Sequence, residues 1–257
     1  METKRFVGKT VIITGAASGI GECAARKFAA EGANVVVCCR KGKVQGDRLV
    51  KEITKEGYNA VLIEADVSKF DEVKAMVDAA IEKFGKIDIF VSNAGKFDGY
   101  NDLIHITDEI FDEVFNTNVR GNFNCAKAVI PHMIANGGGV LLMTSSIAGF
   151  IAGHGGPAYT ASKHAVNGFV KQITHDYGKL GIRCNSVCPG TIWTDMTEPI
   201  LQDNAKALAK IQRTPFGKYG EPRHIADVML FLASDEAEFI HGVNHLVDGG
   251  NLVRKWE

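Results

Sequence analysis

The stretch Thr10-Val11-Ile12-Ile13-Thr14-Gly15-Ala16-Ala17-Ser18-Gly19-Ile20-Gly21 decides how this chain folds. Val11-Ile12-Ile13 is apolar without alternation, as in a strand covered on both faces. The glycines that follow let the backbone turn tightly and approach a bound group closely. Residues 19–31 then carry a helical pattern. Its N-terminus would offer free N–H groups and the positive end of the helix dipole. Glycine turns are common, and such a match by itself means little. Its place between a first strand and a first helix is what points to a phosphate-binding turn.

Working outward, the same alternation repeats. Strands are expected at 34–38, 60–64, 87–91, 140–144, 182–188 and 243–247. Helices are expected at 43–56, 69–84, about 107–136, 158–180 and about 221–233. Val35-Val36-Val37 is a second uninterrupted apolar run. Strand–helix alternation implies βαβ units, and therefore a parallel sheet with helices on both faces. The fold class is thus α/β, a Rossmann-type doubly wound sheet. No linker, repeat or low-complexity tract divides the chain, so residues 1–257 read as one domain. The least regular stretch, 189–220, holds a short helical pattern at 205–211. Long excursions of this kind are where α/β folds carry lids and substrate loops.

Composition narrows the function classes. The 257 residues carry 29 Lys+Arg against 30 Asp+Glu, a formal net charge of -1. No excess of positive charge is available for nucleic-acid phosphates. No apolar run approaches the roughly 20 residues needed to span a bilayer, so no membrane partner is expected. Met1-Glu2-Thr3-Lys4-Arg5 lacks the apolar run of a secretory signal, and a cytoplasmic location is expected. The six cysteines form no disulfide framework. Cys184 and Cys188 lie in a strand pattern with no second Cys/His pair, so no metal is expected.

Tyr159-Thr160-Ala161-Ser162-Lys163 carries the chemistry. Residues four apart share a helix face, so Tyr159 and Lys163 would project into one cleft. A phenol with a pKa near 10 is a poor base at neutral pH. An ammonium beside it favours the phenolate, which predicts an apparent pKa below that of free tyrosine. Tyr159 could then take a proton from an alcohol or give one to a carbonyl. Taken alone, the pattern is no more than an aromatic ring and a lysine on one helical face.

The turn is spaced Gly-x-x-x-Gly-x-Gly, with Gly15, Gly19 and Gly21 as its glycines and Ser18 and Ile20 between them. With the Tyr159/Lys163 pair, that spacing resembles the short-chain dehydrogenase/reductase family, and the resemblance runs along nearly the whole chain. It implies that Asp66-Val67, after the third strand, meets the adenine. Ser92-Asn93-Ala94-Gly95 is similar to the family's Asn-Asn-Ala-Gly, with serine in the first place. Pro189-Gly190 follows the sixth strand, and Thr194 matches the threonine near the nicotinamide carboxamide. Val247-Asp248-Gly249-Gly250 matches the usual C-terminal sequence. Ser146 stands thirteen residues before Tyr159, the spacing of the family's catalytic serine. It would hold the substrate oxygen and stabilise charge developing there. Asn118 matches the asparagine that resembling enzymes use to hold a proton-relay water. Lys163 would also hold the nicotinamide ribose. The resemblance further implies a homotetramer.

Enzymes using NAD place an acid after the second strand to bond the ribose 2′-hydroxyl. Here that position is Cys39, followed by Arg40 and Lys41. Arg40 can form a fork onto a 2′-phosphate, so NADP(H) is expected over NAD(H), with NAD use the alternative. The substrate is expected to be a small-molecule secondary alcohol or ketone. A hydroxysteroid, a 3-oxoacyl thioester and a sugar or polyol remain open. Phe97, His154 and Trp193 are expected to border it, with Phe150, Ile151, Ile192 and Met196 either adding an apolar wall or packing beneath the loop. A reading of a different class is a regulator that senses NADP(H) without chemistry. Such a protein would need neither Tyr159 nor Lys163.

Overall fold

The computed structural model describes residues 4–202 and 204–253. The first and last few residues of the expected unit, 1–3 and 254–257, lie outside the described residues. Seven strands form one sheet: β1 (Thr10–Thr14), β2 (Asn34–Cys39), β3 (Ala60–Glu64), β4 (Ile89–Ser92), β5 (Gly139–Thr144), β6 (Ile182–Pro189) and β7 (Asn244–Val247). All pairings are parallel, in the order β3-β2-β1-β4-β5-β6-β7.

Successive side chains of a strand point to opposite faces. Val11 and Ile13 of β1, Val35 and Val37 of β2 and Leu142 of β5 therefore enter one core. Phe28 of helix α1 (Gly19–Ala30), Leu49 of α2 (Lys43–Lys55) and Met229 of α9 (Pro222–Ala233) close it. Ile12, Val36, Phe90, Leu141 and Met143 enter the opposite core. Met76 of α3 (Phe70–Phe84), Val129 of α5 (Gly121–Ala135) and Val170 of α6 (Pro157–Tyr177) cover that side. Burying each such side chain contributes about 1.5–3 kcal/mol. The unalternating apolar strands are thus explained by two helical layers.

The helical pattern read over about 107–136 is not one α-helix. Helix α4 (Asp108–Phe115) passes into a π-helical turn, Asn116–Arg120, before α5 begins. The cause is tertiary. The Asn118 side chain is buried and bonded both ways to the backbone of Lys96. A Cβ on Gly121 would come within 2.7 Å of Val67. Such single-turn bulges gather at functional sites. The irregular stretch after β6 holds two short helices, α7 (Glu198–Leu201) and α8 (Ala205–Gln212).

The chain order along the sheet reverses beside β1, whose neighbours are β2 and β4. Ligands of open α/β sheets bind at such a switch point, outside the carboxyl ends of the strands. The turn that opens the chain's first βα unit lies there.

Candidate active site

The turn after β1 is built around close backbone approach. A Cβ on Gly21 would lie 2.3 Å from the Gly15 carbonyl oxygen and 2.7 Å from Asn93 Nδ2. No side chain fits, so the first turn of α1 packs directly on the loop. Ser18 precedes α1 in an extended conformation and makes no side-chain capping bond. The first amides of α1 are left for an anion. Asn93, at the end of β4, ties the turn to the sheet. Its Nδ2 donates to the Thr14 carbonyl at 3.1 Å, and its Oδ1 accepts from Thr144 Oγ1 at 3.1 Å. Its backbone N–H donates to Thr14 Oγ1 at 3.0 Å. Ser92, where the family pattern has asparagine, is buried and bonds the Cys125 thiol instead.

A cavity of about 270 Å³ extends from this turn, and Ser146, Tyr159 and Lys163 all line it. Gly15, Ser18, Gly19, Ile20, Asn93, Ala94, Gly95, Pro189, Gly190 and Thr194 complete most of its wall. A second cavity, of about 210 Å³, holds Arg40, Asp66 and Val67. Gly15, Ser18, Ala94 and Gly95 line both. The two cavities thus adjoin along the turn as one elongated cleft. Most of the expected dinucleotide contacts lie along it, and Gly21 lies directly beneath it.

The residues present fit a dinucleotide. The free amides of α1 and the side-chain-free turn suit a pyrophosphate. At the far end, the Arg40 guanidinium is exposed and meets Asp66 Oδ2 at 3.3 Å. Burial works against ionisation of Asp66. Even so, bonds from Ser68 and from Arg40 hold its carboxyl below the usual range. Cys39, Arg40 and Lys41 bring no carboxylate to that wall.

The reacting end combines three elements. Ser146 follows β5 and begins a short 3₁₀ turn, and its Oγ accepts from the Ala148 N–H at 3.1 Å. Tyr159 and Lys163 share one face of α6. Burial pushes the Tyr159 phenol up to about 12, with Asp98 and Tyr100 adding to the rise and the Ser146 hydroxyl opposing it. Burial lowers the Lys163 ammonium to about 8. The lowered tyrosine pKa expected from the sequence is therefore not what this site displays. Its physical reason lies in the geometry. Lys163 Nζ donates to the Thr144 carbonyl at 2.8 Å and stands 5.4 Å from the centre of the phenol ring. Desolvation then outweighs attraction across that distance. At neutral pH the phenol is protonated and the lysine mostly charged.

Asn118 is not at the wall of either cavity. Its Oδ1 accepts from the Lys96 N–H at 2.7 Å. Its Nδ2 donates to the Lys96 carbonyl at 2.9 Å and to Ser162 Oγ at 3.0 Å. Its own carbonyl accepts from Asn122 Nδ2 at 2.6 Å. It braces the β4 loop against the π turn and α6. The expected substrate residues are also redistributed. The Phe97 ring meets the Tyr159 ring edge-on at 5.0 Å but does not line the cavity, nor does His154. Trp193 is partly exposed and packs on Tyr219 at 5.4 Å. Ile192, Met196 and Thr197 line the cavity instead. Sequence reasoning missed Thr197 and the Thr144 carbonyl, which no motif marks. Among the described residues, no grouping of His, Cys, Asp or Glu could hold a metal. No helix among them is long and apolar enough to cross a membrane.

A family model described as "Enoyl-(Acyl carrier protein) reductase" matches residues 15–251. Among curated proteins, the chain is 36% identical over 248 residues to 3beta-hydroxysteroid dehydrogenase 2 of Eggerthella lenta, covering 95% of each. It is 35% identical over 244 residues to a 3-oxoacyl-[acyl-carrier-protein] reductase of Staphylococcus epidermidis, covering 95% of this chain and 99% of that one. Among solved structures it is similar to a short chain dehydrogenase from Burkholderia cenocepacia in complex with NADP. The TM-score is 0.89 and the identity 32%, over 96% of this chain and 99% of that chain.

Proposed function

The chain belongs to the short-chain dehydrogenase/reductase family of NAD(P)-dependent oxidoreductases, and from that premise we propose that it interconverts a secondary alcohol and a ketone using NADP(H), with Tyr159 as acid/base. One observation carries the reading: Ser146, Tyr159 and Lys163 line the same cavity as the phosphate-binding turn. When bound, NADP(H) supplies the hydride to the substrate carbon or accepts it. The amides around Gly15, Ser18, Gly19, Ile20 and Gly21 hold its pyrophosphate. Asp66 and Val67 border the adenine, Asn93-Ala94-Gly95 the stretch of cofactor that passes between the two cavities, and Pro189, Gly190 and Thr194 the nicotinamide. Lys163 bonds the nicotinamide ribose, and Asn118, its side chain taken up by Lys96 and Ser162, serves by bracing the loop after β4 against α6 rather than by holding a relay water.

Ser146 Oγ donates to the substrate oxygen and stabilises its developing charge. Tyr159 gives that oxygen a proton in reduction and takes one in oxidation. A phenol held near 12 is protonated at neutral pH, the form that can give a proton to a ketone oxygen. Assays of a ketone panel with NADPH, followed at the reduced-nicotinamide absorbance band, test the reading. No turnover with any member would sink it in favour of a non-catalytic sensor.

A hydroxysteroid is the first substrate class, supported by the apolar Ile192 and Met196 in the cavity wall and by the steroid dehydrogenase relative. A 3-oxoacyl thioester is the second, supported by the acyl-carrier-protein reductase relative. Sugar and polyol ketones belong in the same panel. Residues 1–257 act as one unit, with 189–220 as its substrate loop, in the cytoplasm.

For the cofactor, Arg40→Ala is expected to raise KM for NADPH about tenfold or more, the loss of a charge-assisted phosphate contact, and to leave NADH use unchanged. A wild-type kcat/KM higher for NADH than for NADPH would overturn the assignment. We also propose a homotetramer. Phe115, Val119, Phe123 and Phe169, with Asn116 and Arg120 among them, line a mainly apolar groove where α4, the π turn, α5 and α6 meet. Light scattering at micromolar concentration is expected to give about four times the 27.7 kDa of one chain. A single-chain mass would exclude assembly.

A further inference from the structure

Asp98 belongs to no motif read from the sequence. It lies on the loop leaving β4, and its side chain is 3% exposed. No Lys, Arg or His forms an ion pair with it among the described residues. Its partners are backbone amides. Oδ1 accepts from the Gly156 N–H at 2.8 Å, and Oδ2 accepts from the Tyr159 N–H at 2.9 Å. Gly156 is the N-cap of α6 and has no side chain to cap with, and Pro157 has no N–H. Asp98 thus does from another loop what a capping side chain does from within. A negative charge is also favourable at that end of the helix dipole.

The approach is closely fitted. A Cβ on Gly156 would come 2.6 Å from Asp98 Oδ2 and 2.6 Å from the Asn101 carbonyl oxygen. Asn101 Nδ2 donates back to the Asp98 carbonyl at 2.7 Å, closing the loop on itself. The neighbouring Phe97 ring bears on the Tyr159 ring at 5.0 Å. One loop therefore holds Tyr159 twice, at its amide and at its ring. Each N–H meets its own carboxylate oxygen, and a carboxamide in the same place would set an NH₂ donor against one of them.

We propose that Asp98 is a positioning residue for Tyr159: by binding the amides of Gly156 and Tyr159 it fixes the first turn of α6, and with it the placement of the phenol hydroxyl beside Ser146. The inference rests on Tyr159 being the proton-transfer group. Small misplacements of a reacting group cost about 10²-fold. Asp98→Asn leaves one of the two amides without an acceptor. It is expected to lower kcat by about 10–10²-fold, with KM for NADPH within twofold of wild type. It also removes a charge facing the phenol. The other groups facing Tyr159 are Tyr100 on the same loop, Ser146 beyond β5 and Lys163 on α6. The rise of alcohol oxidation with pH should therefore begin at lower pH in the variant.

Gly156→Ala tests the same contact from the other side, displacing the carboxylate while keeping its charge. It is expected to reproduce the kcat loss, again with KM for NADPH held. If Asp98→Asn does not fold, this variant alone decides. Unchanged kcat in the folded variant overturns the proposal. So does a loss shared equally by NADPH affinity in either variant, or, in Asp98→Asn, a kcat loss with an unmoved pH dependence, since either marks general support of the fold. Failure of the Tyr159 reading would be seen separately, in Tyr159→Phe.

Discussion

Tyr159→Phe is expected to lower kcat by about 10²–10⁴-fold, the usual worth of general acid–base help, while NADPH affinity stays near wild type. The substitution keeps the ring, its edge-on contact with Phe97 and the helix, and removes only the hydroxyl. The direction of reaction sharpens the test. With the phenol near 12, its ionised fraction at neutral pH is small and grows about tenfold per pH unit. Wild-type alcohol oxidation should climb with pH over that range, and the variant should lose the climb. Ketone reduction uses the protonated phenol and should stay level at neutral pH. A phenylalanine enzyme that keeps most of its activity and the same pH profile would move proton transfer to another group.

Lys163→Met should damage function at two points and improve stability at one. The cavity loses its only lysine, so both kcat and NADPH affinity should fall, distinguishing it from Tyr159→Phe. Stability should move the other way. The folded-state pKa of about 8 lies below the ordinary 10.5, because burial disfavours the ammonium. Below pH 8 both folded and unfolded chains carry the proton, and the burial cost is present in full. Between 8 and 10.5 the unfolded chain binds more protons, so stability rises with pH as that cost is relieved. The difference corresponds to about 3 kcal/mol, less about 1 kcal/mol for the lost bond to the Thr144 carbonyl. Methionine should therefore raise Tm at pH 7, with the gain shrinking towards pH 10. A fall in Tm at pH 7 would mean that the lysine's bond to Thr144 outweighs its desolvation.

Much of this molecule is written in local chemistry. Val11-Ile12-Ile13 and Val35-Val36-Val37 declare strands with two covered faces, because period-two side chains that are all apolar must meet a layer on each side. The turn from Gly15 to Gly21 declares close backbone approach, because a Cβ at Gly21 has no room. Spacing alone puts Tyr159 and Lys163 on one helix face. Arg40 is legible as the cation at the end of the second strand. These features depend on neighbours within a few residues, and the sequence contains those neighbours.

What only the tertiary structure decided depends on groups far apart in the chain. The π turn at Asn118 exists because the Lys96 backbone and Ser162, from other elements, bind a buried amide there. A 3.6-residue pattern averaged over 107–136 passes over such an insertion. Trp193 and Phe97 are aromatic residues in the expected places. Whether each lines the cavity or packs on Tyr219 or Tyr159 is a matter of three-dimensional competition. The direction of the Tyr159 shift follows the same rule. The sequence puts a cation one helical turn away, but the depth of burial and the Thr144 carbonyl that engages the ammonium come from β5 and the covering loops. Asp98 reaches the amides of Gly156 and Tyr159 across 58 and 61 residues of chain, a contact that no periodicity records and that the folded loop alone creates.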